Sequence, residues 1–501
     1  MSLFFTQIPT WERRYGIPDR AEFALGGIVE TINGDFVVSG ATFNRSPFNL
    51  WGIDGYIVKI NAYGDTLWTR RVGSMGIGAG MDFIFDVIIN SNNELVFTGS
   101  RYVNPSVKRQ LWFLKLSQNG DSLMDKRIGG AGEDNGGEII QNPDGTYMIL
   151  GDTRSFGTQI GGSDVWLLKL NQNGDTIWTK TYDLNYQDNG SGIIPFQNGN
   201  YLITTFSVTD SLQVGPWFIA YMGFASYFVI DSSGNVLKLV VLDEDSLTQF
   251  ADIRPTSDGG AIIAGSRSVY DIFPCRDIWV LKLNANADTV WTKTIGGYGK
   301  YDGGMSILQS NNGGYYLAAY SQTYTTPEMD YDNWWLLRLN DNGDTIWTKW
   351  WGGPLNDDPS GIIPTSDGGI IIAGWRDANS WDSLTLGPAD FWVIKADTNG
   401  NVSGIYDFQG YSIHPKEILK IYPNPLNSTA TIQFSIPRKN YVSLKIFDVS
   451  GAEVAEIIDK ELNQGSYSIV YEPHNLTNGI YFVSLKVGNK IYPAKKLLIL
   501  H

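Results

Sequence analysis

Along residues 134–181 apolar and polar positions alternate with a period of two, interrupted at short intervals by turn signals. A first segment, GGEIIQN, ends at Asn142-Pro143-Asp144-Gly145, where an Asp-Gly pair tolerates positive φ. TYMILGD follows, then a longer loop over 153–163, then VWLLKLN. In that third segment Trp166, Leu168 and Leu170 face one way, Leu167 and Lys169 the other. The turn Gln172-Asn173-Gly174-Asp175 leads into TIWTKT. The pattern predicts four short antiparallel strands. No long segment carries apolar residues at helical spacing, so helices are expected to be rare.

The unit recurs, and its fourth segment is the clearest marker. GDTIWTK at Gly174 returns at Gly343, with GDTLWTR from Gly64, GDSLMDK from Gly120, GNVLKLV from Gly234, ADTVWTK from Ala287 and a worn GNVSGIY from Gly400. The spacings are 56, 54, 60, 53, 56 and 57 residues. Four strands per unit, seven times over, predict an all-β chain with a seven-bladed β-propeller. An aromatic stands eight residues before the turn position in six copies: Tyr56, Trp112, Trp166, Trp279, Trp335 and Trp392. Recurrence in nearly every unit reads as core packing between neighbouring sheets. The fourth unit carries Ser226 there and departs from the pattern.

The stretch Pro9–Gly16 reads as the end of a fourth strand with no preceding three. It is expected to supply the outer strand of the last blade, closing the ring and removing an exposed edge. The repeats fill residues 1–408; residues 409–418 read as a linker. Residues 419–501 carry short alternating strands expected to form a small Ig-like β-sandwich.

Composition narrows the function. The chain has 37 basic and 52 acidic residues, a net charge of −15, which argues against nucleic acid as a partner. A single cysteine, Cys275, excludes internal disulfides and is read as inert; histidines at 414, 474 and 501 offer no zinc-like cluster, so neither metal nor cofactor is expected. The longest apolar run, 216–230, is too short and too interrupted to span a bilayer. The start MSLFFTQIPTWERR lacks the order of an export signal.

The tail carries a resemblance. IYPNPLNSTATIQFSIP from Ile421, VSLKIFDVSGAEV from Val442, NLTNGIYFVSLKVG from Asn475 and the terminal KKLLIL resemble the type A C-terminal sorting domain of the type IX secretion system, known from Bacteroidetes and related bacteria. The resemblance implies recognition by the type IX translocon through motif residues Tyr422, Pro423, Asn424, Pro425, Gly479, Tyr481, Lys495 and Lys496, and a secreted or outer-membrane surface location. Substrates of that route need an export signal, so either it precedes this start or the start is misassigned. The repeats resemble the SBBP-type tandem propeller repeat, which implies a fold but no activity.

Candidate chemistry is expected on one edge of the blades. The first-to-second and third-to-fourth turns are short; the opposite edge holds the long second-to-third and fourth-to-first loops, the natural place for a binding surface. Loop aromatics there include Phe156 and Trp334, with Trp217, Tyr221, Trp375 and Trp381 favoured for a ligand. An Asp precedes the first-strand aliphatic by five residues at Asp82, Asp134, Asp188, Asp302 and Asp357, and an Arg ends the second strand at Arg101, Arg154, Arg267 and Arg376. These read as ion pairs bracing loops. Arg267 faces Thr248 instead of Asp and is the Arg expected to be freest for a ligand, with Asp277 as its other claimant. Asp377 and Asp382, beside Trp375 and Trp381, are the only loop carboxylates worth testing as a catalytic pair. No G-x-S-x-G, H-E-x-x-H or phosphate-cradling motif occurs. The reading preferred is a secreted or surface-displayed propeller that binds glycans or proteins; the alternatives are a polysaccharide-degrading glycoside hydrolase and a structural surface-layer component.

Overall fold

The computed structural model describes residues 8–17, 20–44, 52–74, 80–157, 162–213, 219–242, 248–268, 276–297, 300–323, 331–353, 355–378, 389–402, 419–422, 424–426, 429–436, 440–449, 451–462, 465–473, 476–488, 490–491 and 494–499. Among these there is no α-helix. The chain divides into two compact units, residues 1–406 and 407–501.

In the first unit seven sheets built on antiparallel strands follow one another, six of them with their four main strands in sequence order. Blade 1 comprises Arg20–Glu30, Phe36–Asn44, Gly52–Ile60 and Thr66–Val72, with the short Gly80–Met81 parallel to its third strand. Blade 2 comprises Phe83–Ile89, Leu95–Asn104, Lys108–Leu116 and Ser122–Ile128; blade 3 comprises Asp134–Gln141, Tyr147–Thr153, Asp164–Leu170 and Thr176–Tyr182. Blade 4 comprises Gln187–Pro195, Tyr201–Gln213, Ile219–Ile230 and Val236–Leu242; blade 5 comprises Thr248–Pro255, Ala261–Ser268, Arg276–Leu283 and Thr289–Ile295. Blade 6 comprises Asp302–Gln309, Tyr315–Ser321, Asn333–Leu339 and Thr345–Trp351. Blade 7 has three sequential strands, Asn356–Pro364, Ile370–Ala378 and Asp390–Ala396, and takes its outer strand, Trp11–Tyr15, from the N-terminus, with Trp11 opposite Lys395 and Tyr15 opposite Phe391.

Packing closes the ring. Each of seven apolar clusters joins two neighbouring sheets. One, for example, sets Val37 and Ile57 of blade 1 against Trp112 and Leu114 of blade 2, and the last sets Trp11, Phe391 and Val393 of blade 7 against Phe36, Tyr56 and Val58 of blade 1. The third-strand aromatics are core, each at most 3% exposed. Where blade 4 has Ser226, the hydroxyl is buried against Thr205 Oγ1 at 2.5 Å, a polar pair in place of a ring.

The repeated fourth-strand phrase is a latch between blades. Its tryptophan reaches the next blade's turn: Trp68 Nε1 donates to the Gln118 carbonyl and Trp291 Nε1 to the Asp341 carbonyl, both at 3.1 Å. Its lysine meets the next copy's aspartate, as in Lys126–Asp175 and Lys293–Asp344, both at 2.7 Å. The N-terminal strand makes the same connection from blade 7 to blade 1: Trp11 Nε1 donates to the Ala62 carbonyl at 2.8 Å and Tyr15 Oη to the Gly64 carbonyl at 2.7 Å.

The second unit is a two-sheet β-sandwich. Leu419–Tyr422, Ala430–Ile436 and Gly465–Tyr471 form one sheet; Glu453–Leu462, Asn440–Phe447 and Gly479–Val487 form the other, which Lys490–Ile491 and Lys495–Ile499 extend by pairing with Gly479–Val487. Ile432, Phe434, Leu444, Val483, Leu485 and Leu497 fill the space between them.

Candidate functional site

Antiparallel order puts first-strand starts, second-strand ends, third-strand starts and the fourth-to-first loops of every blade on one edge. The first-strand aspartates sit there, all 0% exposed at 82, 134, 188, 302 and 357. They are not partners of the second-strand arginines, as the spacing had suggested. Asp134 accepts from Thr153 Oγ1 (2.5 Å), Ser155 Oγ (2.6 Å) and the amides of Gly130 (2.7 Å) and Ser155 (3.3 Å). Asp302 does the same with Ser321, Gln322, Thr323 and Gly297. Asp134 and Asp302 are each a hub tying two loops to the blade.

The physical reason is register. Asp134 stands opposite Thr153, one residue short of Arg154, and a shift of one residue turns a side chain to the other face. Three of the four arginines go instead to the third-strand tryptophans: Arg101 lies 5.1 Å from the Trp112 ring, Arg267 5.3 Å from Trp279 and Arg376 4.7 Å from Trp392, while Arg154 lies 4.0 Å from Glu133. In blades 2 and 7 a fourth-strand carboxylate completes the set. Asp125 pairs with Arg101 and accepts from Trp112 Nε1 at 2.9 Å; Glu12, on the N-terminal strand, pairs with Arg376 at 3.2 Å and accepts from Trp392 Nε1 at 2.8 Å.

Other candidates read from the sequence are redistributed by the structure. Arg267 is engaged by Trp279 and faces both Thr248 and Asp277 across its neighbouring strands, so it is not held in reserve for a ligand. Trp375 is 3% exposed and packs edge-on to Phe23 at 5.3 Å, and Trp334 is 1% exposed against Trp392; both are core, not platforms. Tyr221 lies on a strand opposite Ser211, and Asp377 near the end of the second strand of blade 7. Trp217, Trp381, Asp382 and Cys275 lie outside the described residues. Phe156 is 48% exposed on the blade 3 loop, and Tyr186, 53% exposed, stands on the next loop.

Two constellations escaped the sequence reading. At the mouth of blades 5 to 7, Asp332 and Asp358 approach on adjoining strand starts, held by the Asp332 amide donating to Asn356 Oδ1 (3.0 Å) and the Asp357 amide to the Asp332 carbonyl (2.9 Å). Burial pushes Asp332 up to about 6, and pushes Asp358 well above the carboxylate range with the charges of Asp332 and Asp357 adding. Tyr320 is held protonated by burial, stacks on Tyr301 at 6.0 Å, and Arg276 caps Tyr301 at 5.5 Å.

The second lies mid-way along the innermost strands. Asp86, Glu138 and Asp252 each accept the amide of the aliphatic residue in a first strand around the ring: Ile139 (3.0 Å), Ile193 (2.8 Å) and Ile307 (2.9 Å). Arg254 pairs with Asp252 at 3.1 Å and also feels the charges of Glu138 and Asp86 across the ring. Burial raises Asp86 to about 6 and Glu138 to about 8. A signal was present. Column by column, Asp86, Glu138 and Asp252 replace the glycines at 27, 192 and 361, and Arg254 stands where the other blades have Val29, Ile88, Ile140, Ile194, Leu308 and Ile363.

In the second unit the motif residues converge on the terminal strand. Asn424 Nδ2 donates to the Lys496 carbonyl at 2.7 Å and Asn424 Oδ1 accepts the Leu498 amide at 2.8 Å. Pro425 follows Asn424; Tyr422 ends a strand, and Pro423 is outside the described residues. Gly479 and Tyr481 pair with Ile499 and Leu497, and Tyr481, 8% exposed, donates to the Thr477 carbonyl; Lys495 and Lys496 lie on the last strand opposite Val483 and Phe482.

Residues 420–500 match the secretion system C-terminal sorting domain. That domain makes this a secreted or cell-surface-attached protein of the type IX route, and no helix among the described residues is long and apolar enough to cross a membrane. A search of curated proteins finds none that matches the chain. Among solved structures it is similar to PorZ, described as an essential bacterial surface component of the type-IX secretion system of Porphyromonas gingivalis, at 12% identity and a TM-score of 0.38, covering 93% of this chain and 58% of PorZ. The chain thus spans less than two thirds of PorZ's length. It is also similar to the polysaccharide lyase Uly1 (9%, TM-score 0.47, 77% of this chain and 99% of that one) and to the Neurospora crassa Pan2 WD40 domain (8%, 0.43, 78% and 96%). At these scores it is the strand pairing and the closed ring of clusters that define the propeller attached to the sorting domain.

Proposed function

We propose that the exported propeller binds glycans through its long-loop edge and performs no chemistry of its own. The observation that supports this is where the departures from the repeat collect. The carboxyl pair Asp332–Asp358, Tyr301, Tyr320 and Arg276 stand on the same edge as exposed Phe156 and Tyr186. Carboxylates and guanidinium match sugar hydroxyls, and exposed rings offer flat area at low entropic cost. A glycan array on the intact chain, followed by calorimetry, tests the reading. Binding should weaken at least tenfold in Asp332→Asn and stay unchanged in Asn171→Ala on the other edge. No glycan bound would overturn it in favour of a protein partner; reducing-sugar release abolished by Asp358→Asn would overturn its non-catalytic part.

A further inference from the structure

At each junction between blades the residue two places before the third-strand aromatic, or before Ser226, corresponds to the first-strand acid position of the next blade. The pairs run Asp54 with Asp82, Gln110 with Asp134, Asp164 with Asp188, Phe224 with Thr248, Asp277 with Asp302 and Asn333 with Asp357. Asp390 with Glu22 completes the ring, Glu22 standing opposite Thr42 as Asp134 stands opposite Thr153. The glycine joining two blades shows how close the partners come. A Cβ added at Gly129, Gly296 or Gly16 would stand within 3.0 Å of both Gln110 and Asp134, both Asp277 and Asp302, or both Asp390 and Glu22 respectively.

Two carboxyl groups cannot both ionise side by side in a buried place without cost, and several junctions avoid it visibly. Blades 2 and 6 set an amide, Gln110 or Asn333, against the acid. Blade 4 loses both acids together, to buried Phe224 and buried Thr248. In blade 1, Arg20 and Arg71 each lie 3.3 Å from Asp54. From blade 5 to blade 6 the cations are turned elsewhere. Arg267, opposite Asp277 across the strand pair, lies over Trp279, and Arg276, beside it on the same strand, lies over Tyr301. Lys300 stands on the joining loop, and Asp332, which also feels Asp302, is a further acid.

The two members of this pair are built differently. Asp302 accepts from Ser321 Oγ, Thr323 Oγ1 and the amides of Gln322, Thr323 and Gly297, as a carboxylate does. Asp277 is 5% exposed, and its Oδ1 is buried and accepts no hydrogen bond. Burial, with the charge of Asp302 adding, pushes Asp277 up to about 6.

We propose that Asp277 and Asp302 form a proton-dependent clasp between blades 5 and 6. With a proton on Asp277 the pair carries one charge and Gly296, Gly297 and Tyr301 are held against the third strand of blade 5. Without it two like charges confront each other and the hold weakens. Tyr301 bridges to Arg276 and lies 5.5 Å from its guanidinium, so the clasp adjoins the candidate site. Its regulation of binding there rests on the function proposed above.

The sign follows from the ordinary value of 3.8: the clasp contributes fully below about pH 4 and is lost as pH rises through 6. Hydrogen exchange of the Gly297 amide in the full chain, without ligand, reads this directly, so its failure is distinguishable from a failure of the binding reading. After correction for intrinsic exchange, protection should fall about tenfold or more from pH 5 to pH 8, and in Asp277→Asn, which mimics the protonated acid, it should change by no more than about twofold. Gln110→Glu should confer a pH-dependent loss on the Gly130 amide, which donates to Asp134 at 2.7 Å, and so gives a second test should the first variant fold poorly. Protection at Gly297 that is constant with pH in the parent protein, a loss that survives in Asp277→Asn, or no transfer of the effect by Gln110→Glu would overturn the proposal.

Discussion

The two edges of the propeller use the same residue types to opposite ends. On the short-turn edge one polar side chain per blade accepts two amides of its own turn: Asn61, Ser117, Asn171, Asp231, Asn284, Asn340 and Asp397 bond the residues two and four further on in every case. On the long-loop edge the hub acids also accept amides, yet the full set of donors is not the same in every blade. Asp134 and Asp302 draw on Ser and Thr hydroxyls, Asp188 on Leu184 and Asn185, and Asp357 on Gly353. The first edge closes its third-to-fourth hairpins with the same pair of bonds in every blade. The second holds loops whose sequence is free to change while the anchor stays, which is how a scaffold comes to carry a site.

The sharpest way to break the comparison is at the ring closure, on which both edges depend. Trp11 is 4% exposed and its indole bonds to blade 1. Trp11→Ala should cost about 3–5 kcal/mol, and removing residues 1–16 should lower the melting temperature further by leaving the third strand of blade 7 as an open edge. A melting temperature unchanged by the deletion would refute the latch.

Next come the edges themselves. Asp134→Ala strands four donors, one buried and three partly buried, and should cost about 3 kcal/mol; Asn171→Ala leaves exposed turn amides to water and should cost about 1 kcal/mol. Equal losses in chemical denaturation would erase the distinction between anchor and turn.

Much of this was legible in the chain. The seven copies of the phrase, the third-strand aromatics and the unpaired Trp11 strand follow from period and position, because they depend on which face a residue takes. Asp134 with Arg154 did not, because pairing depends on register to a single residue, and spacing of 19 or 20 leaves that open. Trp375 looked like a loop aromatic because it stands at a strand end; Phe23, far away in sequence, covers it. Asp86, Glu138 and Arg254 were visible only as departures within a column, which the eye passes over when reading along the chain.

Those inner-ring charges give a pH test that separates the core of the ring from both edges. The ordinary values of 3.8 for Asp86 and 4.5 for Glu138 rise to about 6 and about 8 on folding, chiefly through burial. The folded state therefore holds more protons than the unfolded one between these limits. Stability contributed by these groups is complete below pH 4 and is lost as pH rises through 6 and then 8. Melting temperature should fall from pH 5 to pH 9, Glu138→Gln should flatten the upper part of that fall, and Arg254→Leu should steepen it by removing the cation facing three carboxylates. A flat profile in the parent protein would remove the inner ring from the account.

The smallest effect lies in the third-to-fourth turn of blade 5, where alanine takes the place of the turn glycine. Ala287 takes φ +56, which six sister turns give to glycine. The reason lies one blade earlier. A Cβ added at Gly64, Gly343 or Gly400 would stand 2.7–2.9 Å from Trp11, Trp291 or Trp347 respectively, and one at Gly174 or Gly234 would stand 2.9 Å from Phe113 or Lys180, whereas blade 4 has Lys238, whose ammonium bonds the Ala287 carbonyl at 2.7 Å. Ala287→Gly should relieve roughly 1 kcal/mol of left-handed strain. It should lose roughly 0.8 kcal/mol from a buried methyl and a little more to chain entropy, so the net change stays within about 1 kcal/mol of zero. Lys238→Trp alone should destabilise, because the indole meets the methyl, and should be rescued by Ala287→Gly. A double-mutant cycle with a coupling of 1 kcal/mol or more is expected; strict additivity would mean that the alanine at this turn does not answer to the residue above it.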